Sequence, residues 1–362
     1  MAKVLHAADF HLDSAFRALP EEKARLRRQE SRQLPGRLVD WANDHGAELL
    51  LLAGDLFDSD QLYSQTAEEL AAALGRFRGV CVIAPGNHDW LSPRSPYRQD
   101  IWPENVHIFR SRDIECLPLP QYGCTVYGAA FTSPEEAESG LAGFQPRRDG
   151  TAQILLLHGE AGSREGRYRP IAPEELAAAG VDYLALGHVH ACSGLNRSGG
   201  STWAYPGCPE GRGFDELGDK GFLFGQVEPG RAELHFVPLA GRRYQIAEVD
   251  LTEAEDVLAA IRRSLPADTQ NDIYRIRLQG QVEQPLRLER PQQELEGAFF
   301  QLELRDETRP REDIWAGCGE DSLRGQFLMR LRQEYDTADE PRRRLIEQAA
   351  RYGLAAMDNR EL

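Results

Sequence analysis

Val80 to Ala84 is a short, unbroken apolar run, and it stops at Pro85-Gly86-Asn87-His88-Asp89. A run of that length reads as a buried strand, and turn formers carrying an amide, an imidazole and a carboxylate at its end mark a place for chemistry. The pattern recurs along the chain. Asp9-Phe10-His11, Gly54-Asp55-Leu56-Phe57-Asp58, His158-Gly159-Glu160 and Gly187-His188-Val189-His190 each follow an apolar run of their own. One such cluster could simply close a turn, but five in succession constrain the chain to a fold that gathers strand ends.

At 362 residues the chain exceeds one ordinary domain, which predicts a large first domain and smaller additions. A hydrophobic fraction of 41% supplies a real core. The net charge of −16 argues against a non-specific nucleic-acid coat protein, while leaving room for a local basic patch. The six cysteines form no Cys-x-x-Cys pair and no framework spacing, so neither a zinc ribbon nor a disulfide scaffold is indicated. Reduced thiols fit a cytoplasmic protein. Met1 through Ala8 is too short, and too soon interrupted by Asp9, to be a signal peptide or a membrane span, so the expectation is a chain neither exported nor embedded in a membrane.

From Lys3 to about Gln245 short apolar runs alternate with longer amphipathic ones, which predicts an α/β fold with strands near 3–8, 48–53, 80–84, 106–109, 124–131, 152–157 and 182–186. Between the first two, Leu26, Leu34, Leu38 and Trp41 recur at helical spacing, with a break or kink expected at Pro35-Gly36. Gly199-Gly200 predicts a hairpin. Past Arg242 the texture changes to a compact strand, helix, strand alternation: a strand over 244–250, a helix capped by Thr252 and running through Leu265, and strands over 273–278 and 300–304. Two amphipathic helices close the chain, one over 321–335 and one opening at Asp339 with Leu345, Ala349 and Tyr352 on one side. The expected domains are therefore 1–241, carrying the chemistry, 242–310, a small α/β capping domain, and 311–362, a helical region suited to packing or partner docking.

The five clusters supply aspartates, one asparagine and five histidines. Mixed carboxylate and imidazole donors suit Mn²⁺, Fe²⁺ or Zn²⁺ better than Mg²⁺ or Ca²⁺, which prefer oxygen throughout. Two cations ~4 Å apart repel one another strongly and need a carboxylate between them. Asp55 is the natural bridge. In Asp9-x-His11 and His188-x-His190 the paired side chains of a locally extended turn point the same way and can converge on one centre. His6, His45, His107 and His235 belong to no cluster and are read as structural or surface histidines.

The order Asp-x-His, Gly-Asp-x-x-Asp, Gly-Asn-His-Asp, His and Gly-His-x-His resembles that of the calcineurin-like metallophosphoesterases. Within that family the chain is similar to the bacterial SbcD and YhaO type of DNA-repair exonuclease. The closer likeness rests on His6-Ala7-Ala8-Asp9-Phe10-His11-Leu12-Asp13-Ser14, on Trp102-Pro103-Glu104-Asn105-Val106 and on Tyr205-Pro206-Gly207 ahead of Gly218-Asp219-Lys220-Gly221. It covers roughly residues 1 to 245 well; beyond that it is one of architecture. The resemblance implies a core of two β-sheets in a sandwich flanked by helices. It implies a first metal held by Asp9, His11, Asp55 and His190, a second held by Asp55, Asn87, His158 and His188, and His88 as a catalytic histidine that is not a ligand. Asp58 stands where some relatives outside bacteria carry a histidine, so no role of that histidine transfers. Phe10 replaces a more usual Trp or Leu.

The reading that follows is a two-metal phosphodiesterase acting on DNA. The resemblance adds Mn²⁺ dependence, a homodimer and an SMC-like ATPase partner of the SbcC or YhaN type. Two rivals share the same core: a phosphoesterase for small molecules or phosphoproteins, and a non-catalytic scaffold for an ATPase. Contact with DNA by so acidic a chain is expected from Arg-rich segments beside the clusters, Arg25 to Arg37 and Arg164, Arg167 and Arg169.

Overall fold

The computed structural model describes residues 1–59, 64–311 and 313–358. The helical region expected over 311–362 thus ends in residues outside those described. In chain order the first elements are β1 (Ala2–Ala7), α1 (Glu21–Asp44), β2 (Leu49–Leu52), α2 (Ser64–Gly75), β3 (Val80–Ile83) and β4 (Val106–Ile108). There follow β5 (Glu115–Leu119), β6 (Cys124–Gly128), β7 (Ala152–His158), α3 (Pro173–Ala178), β8 (Tyr183–Gly187), β9 (Asn196–Ser198) and β10 (Ser201–Ala204). A hairpin of β11 (Gly221–Glu228) and β12 (Arg231–Pro238) completes this part.

These strands make two six-stranded sheets, ordered β12-β11-β1-β2-β3-β4 and β5-β6-β7-β8-β10-β9. β1 through β4 run parallel, as do β6, β7, β8 and β10; the antiparallel pair β11 and β12 extends the first sheet beyond β1, and antiparallel β5 and β9 close the second. The fold is mixed α/β, with two sheets flanked by helices. Val4, Leu49, Leu51 and Val82 of the first sheet share a core with Val126, Ile154, Leu156 and Ala185 of the second. The opposite face of the first sheet, with Leu5, Leu50 and Leu52, packs on Leu34, Leu38 and Val39 of α1 and Leu70 and Leu74 of α2. Leu155, Leu157, Leu184 and Leu186 pack on Leu176 of α3. Because both faces of each sheet are covered, Leu49–Leu52 is buried at every position, which is why these strands read as apolar runs and not as alternations.

Beyond the unforeseen β5 and one helix cap, three details depart from expectation. α1 runs unbroken through Pro35, whose missing N–H sacrifices one helical hydrogen bond while Leu34, Pro35 and Leu38 remain buried. The hairpin of β11 and β12 has no counterpart among the expected strands; it pairs antiparallel with β1 at the sheet's edge, and its outer strand alternates between buried and exposed.

The remaining elements are β13 (Tyr244–Asp250), α4 (Val257–Ser264), β14 (Ile273–Gln279), β15 (Gln281–Val282), α5 (Glu289–Glu294), β16 (Gln301–Asp306), β17 (Arg309–Pro310), α6 (Leu323–Thr337) and α7 (Glu340–Met357). β13, β14 and β16 form a three-stranded sheet. α4 is capped by Asp256, whose carboxylate accepts from the Leu258 N–H; Thr252 instead sits in a turn closed by Asp250. The chain divides into two compact units, one of Met1–Ala247, Pro266–Arg275 and Leu295–Glu303, the other of Glu248–Leu265, Ile276–Glu294 and Leu304–Leu362. In the second, Leu328, Ala350 and Leu354 pack with Ile314. The third departure lies here: Leu345, Ala349 and Tyr352 face solvent, and the stripe that packs is Ile346, Ala350 and Leu354. Among the described residues no helix is long and apolar enough to cross a membrane.

Candidate metal centre

Each cluster lies at or just beyond the carboxyl end of a strand: Asp9 and His11 after β1, Asp55 and Asp58 after β2, Asn87 and His88 after β3, His158 closing β7, and His188 and His190 after β8. Packing the two sheets brings the five ends together. Close approach depends on glycine. A Cβ on Gly54 would lie 2.7 Å from both the Gly86 nitrogen and His158 Nδ1, and one on Gly86 would lie 2.2 Å from Asp55 Oδ1. Asp89, fully buried, ties the second and third loops together: its carboxylate accepts from the N–H groups of Gly86 and Leu56, both at 2.7 Å, and from the Tyr97 hydroxyl at 2.6 Å.

All seven expected ligands converge. Donor atoms of Asp9, His11 and His190 lie within 4.8 Å of one another, as do those of Asp9, Asp55 and His158. His11 Nε2 stands 3.2 Å from His190 Nε2. Asp55 Oδ1 accepts the His88 N–H at 2.9 Å, while Oδ2 faces His11 Nε2 at 3.8 Å and His158 Nε2 at 3.3 Å. Asn87 Oδ1 is 2.9 Å from His158 Nε2 and 3.2 Å from His188 Nδ1. His88 is exposed at the mouth, with Nδ1 3.1 Å from the Asp58 carbonyl. Its ring also belongs to a third group of donor atoms within 4.8 Å of one another, with His11 and Asp58.

This donor set fits divalent cations on its own chemistry. His158 Nδ1 donates to the Ala53 carbonyl at 2.8 Å, which turns the Nε2 lone pair toward two oxygens that are themselves acceptors. Three lone pairs facing one point repel unless a positive charge sits among them. The acid–base behaviour shows how strongly this point draws positive charge, since a proton on His158 Nε2 is held there too. Burial would depress His158, yet Asp55 and Asp9 hold it up at about 9. Burial would raise Asp55, but His158, His11 and His88 hold it well below the carboxylate range. Burial lifts Asp9 to about 6 and drives His11 and His188 down to about 4, so these rings offer lone pairs at neutral pH.

A calcineurin-like phosphoesterase family model matches residues 2–192, more than half of the chain. The chain belongs to this family. The family is one of phosphoesterases, and the donor groups gathered here are of a kind that could hold metal ions. The chain is 32% identical over 266 residues to the metallophosphoesterase YhaO of Bacillus subtilis strain 168, a match covering 70% of this chain and 64% of that one. Against two archaeal proteins named DNA double-strand break repair protein Mre11, identities are 25% for Aeropyrum pernix, covering 73% of this chain and 68% of that one, and 26% for Methanopyrus kandleri, covering 71% and 61%. The chain therefore spans about two thirds of the length of these relatives.

Several residues near the centre escaped the sequence reading. Asp89 sits inside a recognised string but carries no ligand role there. Glu216 meets His190 Nδ1 at 2.7 Å, Arg212 lies beside both, and Glu160 stands 3.6 Å from His188 Nε2. The only sequence signal for the Arg212 and Glu216 pair is its i,i+4 spacing. The expected arginine rim needs correction. Arg169 is buried, ion-paired with Glu136 and laid over the Phe131 ring, so it supports the loop after β7 and cannot reach a ligand. Arg27 is likewise buried, against Glu30 and Glu210. Arg164 and Arg167 are exposed but paired with Glu174 and Glu135, and Arg32 pairs with Asp13.

Proposed function

We propose that this metallophosphoesterase is a two-metal phosphodiesterase that cleaves DNA in the manner of double-strand-break repair nucleases, with Mn²⁺ as its working metal. The observation that carries the two-metal reading is the position of Asp55, whose Oδ2 faces His11 of one ligand group and His158 of the other. DNA as substrate is supported by the archaeal relatives named for break repair.

When bound, two divalent cations polarise the phosphoryl group and make water a competent nucleophile near neutral pH. The chain supplies the rest. Asp9, His11, Asp55 and His190 would hold the first cation, and Asp55, Asn87, His158 and His188 the second. His88 donates Nδ1–H to the Asp58 carbonyl, which keeps Nε2 for the substrate. A proton held there can pass to the departing oxygen, or stay and stabilise charge on the phosphoryl oxygens. Asp89 keeps the loops bearing Asp55 and Asn87 in register. An SMC-like ATPase partner, a homodimer and a cytoplasmic location belong to the same reading. Leu323, Leu345 and Tyr352, exposed on or beside the terminal helices, support a partner there.

A small-molecule or phosphoprotein substrate is favoured by one observation: the arginines nearest the centre are largely engaged with carboxylates. A non-catalytic scaffold is disfavoured by the complete donor set. The deciding experiment is Mn²⁺-dependent digestion of end-labelled duplex DNA run beside bis-p-nitrophenyl phosphate. Cleavage of both is expected. Turnover of the small diester with intact duplex would remove DNA from the reading.

A further inference from the structure

Each ligand imidazole has a second nitrogen, and what that nitrogen meets decides which tautomer the ring adopts. For His158 it is the Ala53 carbonyl. For His11 and His190 it is a carboxylate: Glu216 Oε1 is hydrogen-bonded to His190 Nδ1 at 2.7 Å, and Asp58 Oδ1 lies 3.2 Å from His11 Nδ1, at ion-pair distance but without hydrogen-bond alignment. A single side chain joins those two carboxylates. Arg212 places Nη1 3.4 Å from Asp58 Oδ1 and Nη2 2.8 Å from Glu216 Oε1, and its backbone N–H donates to Glu216 Oε2 at 2.7 Å. Nη2 also stands 3.0 Å from His190 Nδ1. A guanidinium only donates, so that contact calls for a bare Nδ1, whereas the 2.7 Å contact with Glu216 Oε1 calls for Nδ1–H; we take the second tautomer, in which the ring and Arg212 both donate to the carboxylate.

We infer that Arg212, Asp58 and Glu216 form a positioning unit that governs one of the two metal sites, the one built on His11 and His190, and leaves the other untouched. This rests on the two-metal reading above. A carboxylate facing Nδ1, hydrogen-bonded at His190 and by charge alone at His11, favours the proton there and leaves the lone pair on Nε2, and the Nε2 atoms of His11 and His190 face each other. Arg212 gives the unit its direction. An unpaired carboxylate beside a cation site competes to be a ligand, and Asp58 already lies within donor distance of His11 and His88. The guanidinium occupies both carboxylates and keeps them as orienting groups. Its side chain is 19% exposed and that of Glu216 only 5%, so the pair is shielded from solvent competition. Among the described residues, no hydrogen bond or ion pair runs from any of the three side chains to Asn87, His158 or His188.

The test is calorimetric titration with Mn²⁺ alone, on the wild-type chain and on Glu216→Gln, which keeps the shape and removes the charge on which Arg212 and His190 converge. Wild type should show two sites. In Glu216→Gln one should weaken by roughly 10–100-fold, with the other unchanged. Asp58→Asn alters a carboxylate that is 39% exposed, and so tests the idea should the buried change unfold the chain; it should weaken one site in the same way. The double variant should still keep one site at wild-type affinity. Arg212→Lys, able to reach only one carboxylate, should weaken that site less than Arg212→Met. Equal weakening of both sites, or of neither, overturns the inference and leaves the two-metal reading standing. A wild-type chain that binds fewer than two Mn²⁺ overturns both.

Discussion

Asp9, His11, Asp55 and His188 take φ values of 57°, 44°, 50° and 111°, in a region that non-glycine residues seldom enter. Such backbone costs on the order of 1–3 kcal/mol per residue and persists only where surroundings over-determine it. Here the Asp9 N–H donates to the Gly54 carbonyl at 3.0 Å, the His11 N–H to Asp55 at 2.9 Å, and the His188 N–H to the Asp9 carboxylate at 3.1 Å. Each strained ligand is pinned by another ligand's loop. Asp55 is the most connected of them, so Asp55→Asn should lose at least one metal per chain, and more than any variant of a single terminal ligand loses. Metal content by mass spectrometry checks this; retention of both metals with near-normal turnover would show that Asp55 is not the bridge. His88→Ala should do the reverse, leaving metal content intact while turnover of bis-p-nitrophenyl phosphate falls by ~10²-fold or more. Loss of a metal from that variant would make His88 a ligand.

At the scale of elements, the loop after β7 shows how support is built behind a site. Arg169 bonds the Ala130 carbonyl at 2.8 Å and pairs with Glu136, both side chains nearly inaccessible. Removing one partner of a buried pair costs about 3–5 kcal/mol. Arg169→Ser should therefore destabilise the fold by that order in a urea melt, whereas Arg167→Ser, at an exposed pair, should stay within about 0.5 kcal/mol. Similar losses for the two variants would contradict the placement of Arg169. Which elements could be foreseen follows from the same physics. Strands covered on both faces announce themselves as apolar runs, and the ligands at their ends share short, fixed spacings, so β1, β2, β3, β7 and β8 and all seven candidate ligands were legible. The β11 and β12 hairpin was not, because the expectation followed unbroken apolar runs, whereas β12 at the sheet's edge buries one face and alternates. Pro35 misled because tertiary burial of α1 outweighs one lost hydrogen bond. Asp58 stood in view within the second cluster without a role, whereas Arg212 and Glu216 were illegible for a different reason: residues that act on a ligand's far nitrogen need only nearness in space, and their i,i+4 spacing marks no site.

For the whole molecule, a centre of facing lone pairs and buried carboxylates makes the fold's stability depend on what fills it. A cation that binds only the folded state adds about 2.7 kcal/mol per site at a hundredfold excess over its dissociation constant. The melting temperature should therefore rise with Mn²⁺ and fall with EDTA, and the rise should shrink in Asp55→Asn. A melting curve indifferent to both would speak against any metal centre. The distribution of ligands between the sheets has one more consequence. Asp9, His11, Asp55 and Asn87 follow strands of the first sheet, while His158, His188 and His190 belong to the second, the last two lying beyond Gly187. A nascent chain still short of that point lacks a ligand for either cation, however well its first sheet has formed. On the two-metal reading the choice of metal thus falls to the folded chain and to whatever ions surround it once the ribosome has passed His190.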